Sequence, residues 1–332
     1  MTGRNENGKF RLDEQQFKDI SLNASRVTSV DLNGDGFPDL SFSANIVPGE
    51  YGKNPVQYLF LNDGNGNFTE VTDQYSETFR NVGNVQDIIW IDINNDNIKD
   101  AIVVGHWMPI TIFMNNGSNL SKLDGGLKDT NRWWNTVIAK DFDGDGDIDI
   151  VAGNWGLNSR LKASVKKPLR LYLGDFDGNG SIDPVVSYFY EDKETAFASK
   201  DELDHQIPFL KKKFRSYKEY ADADFSEILP REKLRNAGVK QVFELGTCYF
   251  ENNGDNTFTK HILPFETQVS AIFAIETQDF NSDGFPDLFL VGNNYEISTQ
   301  LGRLDASHGT VLINDKNGFF ETYKKEMPDH PE

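Results

Sequence analysis

The feature that most constrains this sequence is a nine-residue segment, bounded by aspartates, that occurs five times. Each copy follows the frame Asp-x-(Asp/Asn)-x-(Asp/Asn)-(Gly/Asn)-x-x-Asp, with apolar, strand-like runs before and after it. The copies, which we call Asp loops one to five, read DLNGDGFPD (31–39), DINNDNIKD (92–100), DFDGDGDID (141–149), DFDGNGSID (175–183) and DFNSDGFPD (279–287). Repetition of one loop between strands predicts an array of similar β units.

A second repeated element follows several of the loops and consists of a strand-like run, an Asn/Gly/Asp turn and another strand. It reads FLNDGNGNFTEV (60–71), YFENNGDNTFTK (249–260) and LINDKNGFFETY (312–323), with a degenerate copy, FMNNGSNLSKL, at 113–123. Asn and Gly tolerate positive φ, so these segments are predicted to be β-hairpins. The repeating unit therefore has four antiparallel strands, which is typical of a β-propeller blade.

The sequence accordingly predicts an all-β fold, with residues 1–332 forming a single portion of a β-propeller built from four-stranded antiparallel blades. Five blade units are placed near residues 27–75, 85–125, 133–168, 170–262 and 269–325. The third unit is short for four strands, so the Asp175 loop belongs either to unit three or to unit four. Residues 195–238 have helical spacing and a capping-box pattern at Ser199 and Glu202, which predicts a helical insertion within the fourth unit.

The loop spacing predicts the chemistry of a hard cation. Oxygens at positions 1, 3 and 5, a main-chain carbonyl at position 7 and an Asp at position 9 can converge on one ion, and Gly at position 6 permits the sharp turn. All-oxygen ligation favours Ca²⁺ over Zn²⁺ or copper, and Mg²⁺ demands a stricter octahedron. The candidate ligands of up to five Ca²⁺ ions are Asp31, Asn33, Asp35, Phe37, Asp39; Asp92, Asn94, Asp96, Ile98, Asp100; Asp141, Asp143, Asp145, Asp147, Asp149; Asp175, Asp177, Asn179, Ser181, Asp183; and Asp279, Asn281, Asp283, Phe285, Asp287.

Two alternatives to a calcium loop of this kind were weighed. An EF-hand requires a bidentate Glu at position 12 and helical flanks, whereas this sequence has apolar residues there and strands on both sides. Simple Asp/Asn/Gly turns without a metal ion are the other alternative. They are disfavoured by the repetition of the frame and by the repulsion among several carboxylates in one tight loop.

Composition excludes several classes of protein. The chain has 33 basic and 52 acidic residues and a net charge of -19, so the basic face that nucleic-acid binding needs is not expected. One cysteine excludes an internal disulfide framework. There is no run of 18 apolar residues for a transmembrane segment, and the polar start, MTGRNENGKF, does not resemble a signal peptide. The chain is therefore expected to be either cytosolic or an excised piece of a longer protein.

The Asp loops with their strands resemble FG-GAP/VCBS repeats, which also form integrin α-chain propellers. The wider context, including GHWMPITIF, DFDGDGDIDIVAGNWGLNS, FASKDEL and QLGRLDASHG, is similar to the large ASPIC/UnbV-type VCBS-repeat proteins of Bacteroidetes. This resemblance implies a non-enzymatic propeller, usually of seven blades in a longer chain, that serves adhesion or recognition at the outer-membrane surface or outside the cell. Structural Ca²⁺ in the Asp loops is part of that expectation.

The segments that link blades are expected to lie on the face opposite the Asp loops, and they contain most of the tryptophans. Stacking on these side chains would bind a glycan or a protein partner, since functional residues concentrate on loops. The candidate ligand residues are Trp107, Trp133, Trp134, Trp155, Tyr295 and Arg303. The alternative is that the tryptophans pack inside the propeller.

Catalytic motifs are lacking: the sequence has no G-x-S-x-G, P-loop or H-E-x-x-H. The chain is therefore expected not to be an enzyme. His106 and His308 would share the tryptophan-bearing face, which leaves a lyase-like enzyme acting on polysaccharides as the alternative function.

Overall fold

The computed structural model describes residues 2–13, 16–295 and 301–323, so the last residues of the fifth predicted unit, 324 and 325, lie outside it. The described part is all-β, with mostly antiparallel four-stranded sheets and a few short helices. The chain divides into two compact units, one of residues 1–103 and 111–123, the other of residues 104–110 and 124–332. This division differs from the single domain that the repeats suggest.

The first unit contains a hairpin, a four-stranded sheet and most of a five-stranded sheet. The hairpin joins β1 (Thr2–Glu6) to β2 (Lys9–Asp13). The first sheet has the order β3 (Asn23–Val30), β4 (Asp39–Ile46), β5 (Tyr58–Asn62), β6 (Phe68–Glu70). The second consists of β7 (Asn84–Ile91), β8 (Asp100–Met108), β9 (Thr111–Asn115) and β10 (Leu120–Lys122). Two one-turn helices, α1 (Thr72–Tyr75) and α2 (Glu77–Arg80), connect the sheets.

The second unit contains three further sheets. The last residues of β8 pair with β11 (Arg132–Trp133). The third sheet has the order β12 (Thr136–Lys140), β13 (Asp149–Gly153), β18 (Cys248–Asn252), β19 (Phe258–Ile262). The fourth has the order β16 (Lys193–Ala196), β15 (Asp183–Tyr190), β14 (Leu169–Gly174), β17 (Gly238–Val242). The fifth runs β20 (Ala274–Gln278), β21 (Asp287–Val291), β22 (Thr310–Asn314), β23 (Phe320–Thr322). Two 3-10 turns lie at Leu127–Asp129 and Phe265–Thr267.

The third and fourth sheets correct the unit boundaries that the sequence suggested. The hairpin at 248–262, assigned from sequence to the unit at 170–262, completes the third sheet, where Val151 pairs with Tyr249. The unit at 133–168 therefore lacks two of its own strands, and residues 154–247 are inserted between β13 and β18. A strand pairs with the neighbour against which its apolar face is buried, and that neighbour need not be adjacent in sequence.

The helical insertion is present and forms a core of its own. The helices are α3 (Lys200–Gln206), α4 (Leu210–Lys213), α5 (Tyr217–Asp222), α6 (Phe225–Ile228) and α7 (Arg231–Asn236). Ser199 and Glu202 make the predicted capping box at the start of α3. Apolar side chains from the helices, among them Leu203, Leu210 and Ile228, pack in one cluster with Phe176 of the fourth Asp loop and Val185 of β15. None of the helices in the described part of the chain has both the length and the apolar composition needed to span a bilayer.

Candidate metal centre

Each Asp loop joins two neighbouring antiparallel strands, and its first carboxylate organises the turn. In the third loop the Asp141 carboxylate accepts the N–H of Gly144 (2.7 Å) and of Gly146 (3.0 Å). The Asp145 carboxylate accepts the N–H of Asp147 at 2.8 Å. The bonds from position 6 to position 1 and from position 7 to position 5 recur in all five loops. The predicted ligand residues are therefore brought together loop by loop.

The turn needs two left-handed residues, at positions 4 and 6 of each loop, because the chain must reverse sharply around the first carboxylate. Glycine favours this conformation, and Asn or Ser adopts it at some cost. The loop frame predicts the sharp turn at position 6 but gives no signal for a left-handed residue at position 4. Positive φ angles occur at Gly34 and Gly36, Asn95 and Asn97, Gly144 and Gly146, Gly178 and Gly180, and Ser282 and Gly284.

The ninth aspartate is the buried anchor of every loop. Asp39, Asp100, Asp149, Asp183 and Asp287 are at most 5% exposed. One carboxylate oxygen accepts the N–H of the residue at position 2, as between Asp149 and Phe142 at 3.0 Å. In four loops the other oxygen accepts the N–H of the asparagine that ends the third strand of the sheet; the donors are Asn62, Asn115, Asn252 and Asn314.

The side chains of these asparagines extend the same network. In the first unit Asn115 Nδ2 donates to the carbonyl of Leu32, at position 2 of the first loop (2.9 Å). In the second unit Asn314 Nδ2 contacts the carbonyl of Phe142 in the same way (2.6 Å). Each of these asparagines thus ties its own loop to the loop of another sheet in its unit. Sequence reasoning assigned them only to hairpin turns, although an Asn at the end of the third strand recurs in all four hairpin copies.

The carboxylates of two loops converge closely enough to hold a metal ion. Oxygens of Asp141, Asp143 and Asp149 lie within 4.8 Å of one another, and the fourth loop has the same arrangement, formed by Asp175, Asp177 and Asp183. Burial raises the pKa of Asp149 to about 6, while the N–H groups of Asn252 and Phe142 act in the opposite direction. Clustered carboxylates that are partly buried are stabilised by a cation, so this donor set fits a hard metal ion. Loops one, two and five have Asn in place of the third-position carboxylate.

The structure separates the predicted ligand residues outside the loops. Trp107 and Trp134 are 3% and 0% exposed, so neither is available to stack on a ligand. Trp107, Trp133 and Trp155 form an edge-to-face cluster with successive ring centroids 5.2 Å apart. The Trp134 indole donates to the carbonyl of Thr130 at 2.9 Å. Trp107 and Trp134 therefore belong to the core, whereas Trp133 and Trp155 are half-buried rings packed against it.

Tyr295 and Arg303 differ from the tryptophans, since both side chains are exposed and available to a partner. His106 is held against Asn135, with Nε2 3.1 Å from Oδ1, and burial lowers its pKa, so the ring is kept neutral. His308 is exposed.

Comparison with known proteins gives a family match over part of the chain and likenesses to solved structures. Residues 92–152, which span the second and third Asp loops, match the model of the FG-GAP-like repeat. No curated protein matches the sequence. The chain is similar to the V. cholerae biofilm matrix protein Bap1 at 10% identity and a TM-score of 0.25, over 90% of this chain and 68% of that one. The predicted FG-GAP character is confirmed for 92–152, and the likeness to ASPIC/UnbV-type proteins stays a prediction.

Proposed function

We propose that this chain is a calcium-stabilised portion of a β-propeller, of seven blades in its complete form, that acts in adhesion or recognition outside the cell or at its surface. The observation that carries the proposal is the convergence of three aspartates within 4.8 Å around a turn that is built in the same way five times. The FG-GAP-like match at 92–152 supports the repeat class.

The ions would be structural. Each Asp loop forms the connection between two strands. Its ninth aspartate anchors this connection by hydrogen bonds to the rest of the sheet or, in the fourth loop, to other residues of the loop. A cation on the loop therefore couples metal binding to folding, because the unfolded chain does not hold the oxygens together. Sites of this type are suited to extracellular calcium, at roughly millimolar concentration, where weak sites are filled.

Calcium dependence is tested by thermal unfolding and calorimetric titration of protein dialysed against EGTA. Addition of calcium to about 100 times the dissociation constant should raise Tm by roughly 4 °C for each site filled, since a site adds about 2.7 kcal/mol at that ratio and the entropy of unfolding is about 2.1 cal/mol/K per residue. Asp143→Ala should lower the number of bound ions by about one, because it removes the third-position oxygen. The matched control is Asp255→Ala, which removes a carboxylate from a hairpin turn outside the Asp loops. An unchanged Tm and no heat of binding would contradict the calcium role.

The ligand would be a glycan or a protein, bound without catalysis at the predicted face opposite the Asp loops. Two exposed residues support this proposal, Tyr295, which is 58% exposed, and Arg303. Glycan-array binding should fall at least fivefold in Tyr295→Ala and Arg303→Ala, with Tyr190→Ala, also an exposed tyrosine, as the control. Equal binding by all three variants would exclude this site. Release of unsaturated ends from acidic polysaccharides would instead support the lyase alternative.

A further inference from the structure

The fourth Asp loop has a contact of a different kind from the asparagine contacts of the other four. Lys233, on helix α7, is half-buried, and its Nζ donates to the main-chain carbonyl of Asp175 at 2.8 Å. The same Nζ would lie 3.6 Å from a Cβ placed on Gly178, at position 4 of the loop. A lysine ammonium is therefore placed against the first half of a loop whose carboxylates converge on a candidate metal position.

The fold fixes this placement. Helix α7 leads directly into β17, whose first residue, Gly238, pairs with Leu173 at the end of β14. The loop begins two residues after Leu173. Ala237 lies in contact with Gly174, the residue before the loop, since a Cβ placed on Gly174 would be 3.5 Å from the Ala237 Cβ. Leu234 packs on the core of the insertion beside Phe176. The helix and the loop are thus attached to the same end of one strand pair, which holds the lysine at the loop.

The charge of the lysine acts on the loop in the absence of a metal ion. The Asp175 carboxylate accepts the N–H groups of Gly178 and Gly180 at 2.6 and 3.0 Å, and the Lys233 ammonium lies on the main chain of the same residue. Asp183 has hydrogen bonds from Phe176 and Asp177 within the loop, and none from a hairpin asparagine in the described part of the chain. Lys316 also approaches a loop, but its Nζ lies 3.6 Å from the half-buried carboxylate of Asp283 and not on the main chain.

We propose that Lys233 is a built-in counter-cation that keeps the fourth Asp loop folded without a bound metal ion and weakens the affinity of that loop for Ca²⁺. The part that concerns calcium rests on the proposed function. A divalent ion held by Asp175, Asp177 and Asp183 is repelled by the nearby ammonium, whereas the empty loop is stabilised by it. The helical insertion thereby sets the calcium response of one loop independently of the others.

The test follows hydrogen exchange of peptides that cover 175–183 and 141–149 as free calcium is raised. The variant is Lys233→Met, which keeps the length of the side chain and removes its charge. We expect the midpoint of protection of 175–183 to fall about fivefold in calcium concentration, which corresponds to the loss of a charge repulsion of about 1 kcal/mol. The midpoint of 141–149 should not change. In EGTA the same variant should exchange faster at 175–183 than the parent chain.

The matched control is Lys193→Met, since Lys193 also binds a main-chain carbonyl of the insertion, that of Ala221, at 2.9 Å. This variant should leave both midpoints and the exchange of 175–183 in EGTA unchanged. An unchanged midpoint of 175–183 in Lys233→Met, or an equal shift at 141–149, would overturn the proposal. If neither loop of the parent chain responds to calcium, the calcium function fails. The role of Lys233 is then tested only by the hydrogen exchange of 175–183 in EGTA. Equal exchange in Lys233→Met and in the parent chain would overturn that role as well.

Discussion

The third and fourth Asp loops share one sequence frame, and yet the protein holds them in place by different means. Asp149 accepts an N–H from Asn252, which is 103 residues away in the chain, so the third loop is anchored to a distant hairpin. Asp183 is hydrogen-bonded within its own loop, and the main chain of the fourth loop accepts a hydrogen bond from the Lys233 ammonium of the helical insertion. The frame therefore specifies the local turn, whereas the surrounding sheet determines how strongly that turn is coupled to the rest of the fold.

The difference follows from the order of strands. In the third sheet the strand that follows the loop, β13, pairs with β18, which brings the asparagine at the end of β18 to the ninth aspartate. In the fourth sheet the corresponding strand, β15, pairs with β16 through a tight turn at Glu191 and Asp192. β16 ends at Ala196, opposite Ser187, so it stops short of Asp183 and brings no residue to the ninth aspartate. The helical insertion then supplies the contact from the other side of the loop.

The largest effect expected from this comparison is that of replacing the ninth aspartate. Asp149→Asn places an amide N–H₂ against a main-chain N–H and leaves a buried donor unsatisfied, which costs about 2–4 kcal/mol. Asp183→Asn should cost about 1–2 kcal/mol, because that carboxylate anchors only its own loop. Urea unfolding in EGTA measures the loss of unfolding free energy in both variants without a contribution from bound metal. Equal losses in the two variants would show that the hydrogen bond from Asn252 does not stabilise the third loop.

A smaller effect is expected at Lys240, in the β17 edge of the fourth sheet. Burial lowers the pKa of Lys240 to about 8. Between pH 8 and about 10.5 this lysine is protonated in the unfolded chain but not in the folded chain. Its buried charge therefore destabilises the fold in full below pH 8, and the destabilisation disappears as the pH rises to about 10.5. Lys240→Met should therefore stabilise the protein by on the order of 1 kcal/mol at pH 7 and by much less at pH 10.

The matched control is Lys122→Met, which removes an exposed lysine from β10. It should change the free energy of unfolding by less than about 0.5 kcal/mol at either pH. A gain from Lys240→Met that does not shrink with rising pH would contradict the assignment of the effect to the buried charge, and would indicate a gain in packing.

Individual residues show where sequence reasoning succeeded and where it failed. Position 6 of the loops and the capping box at Ser199 were predictable, because both depend on residues within one turn of each other. The tryptophan-lined ligand face was wrong for Trp107 and Trp134, which are buried. An aromatic residue in a link between strands has no local signal that separates a ligand contact from a core contact, since the burial of its ring is decided by segments far away in the sequence.

The sequence by itself determined the all-β class, the five Asp loops, the residues that each loop brings together and the helical insertion, since all of these depend on short-range spacing and turn chemistry. Tertiary structure alone decided that the hairpin at 248–262 completes the third sheet and that four asparagines anchor the ninth aspartates. It also placed Lys233 against the fourth loop. The physical reason is that long-range strand pairing is selected by burial of apolar faces and by satisfaction of buried carboxylates, which are properties of the assembled chain.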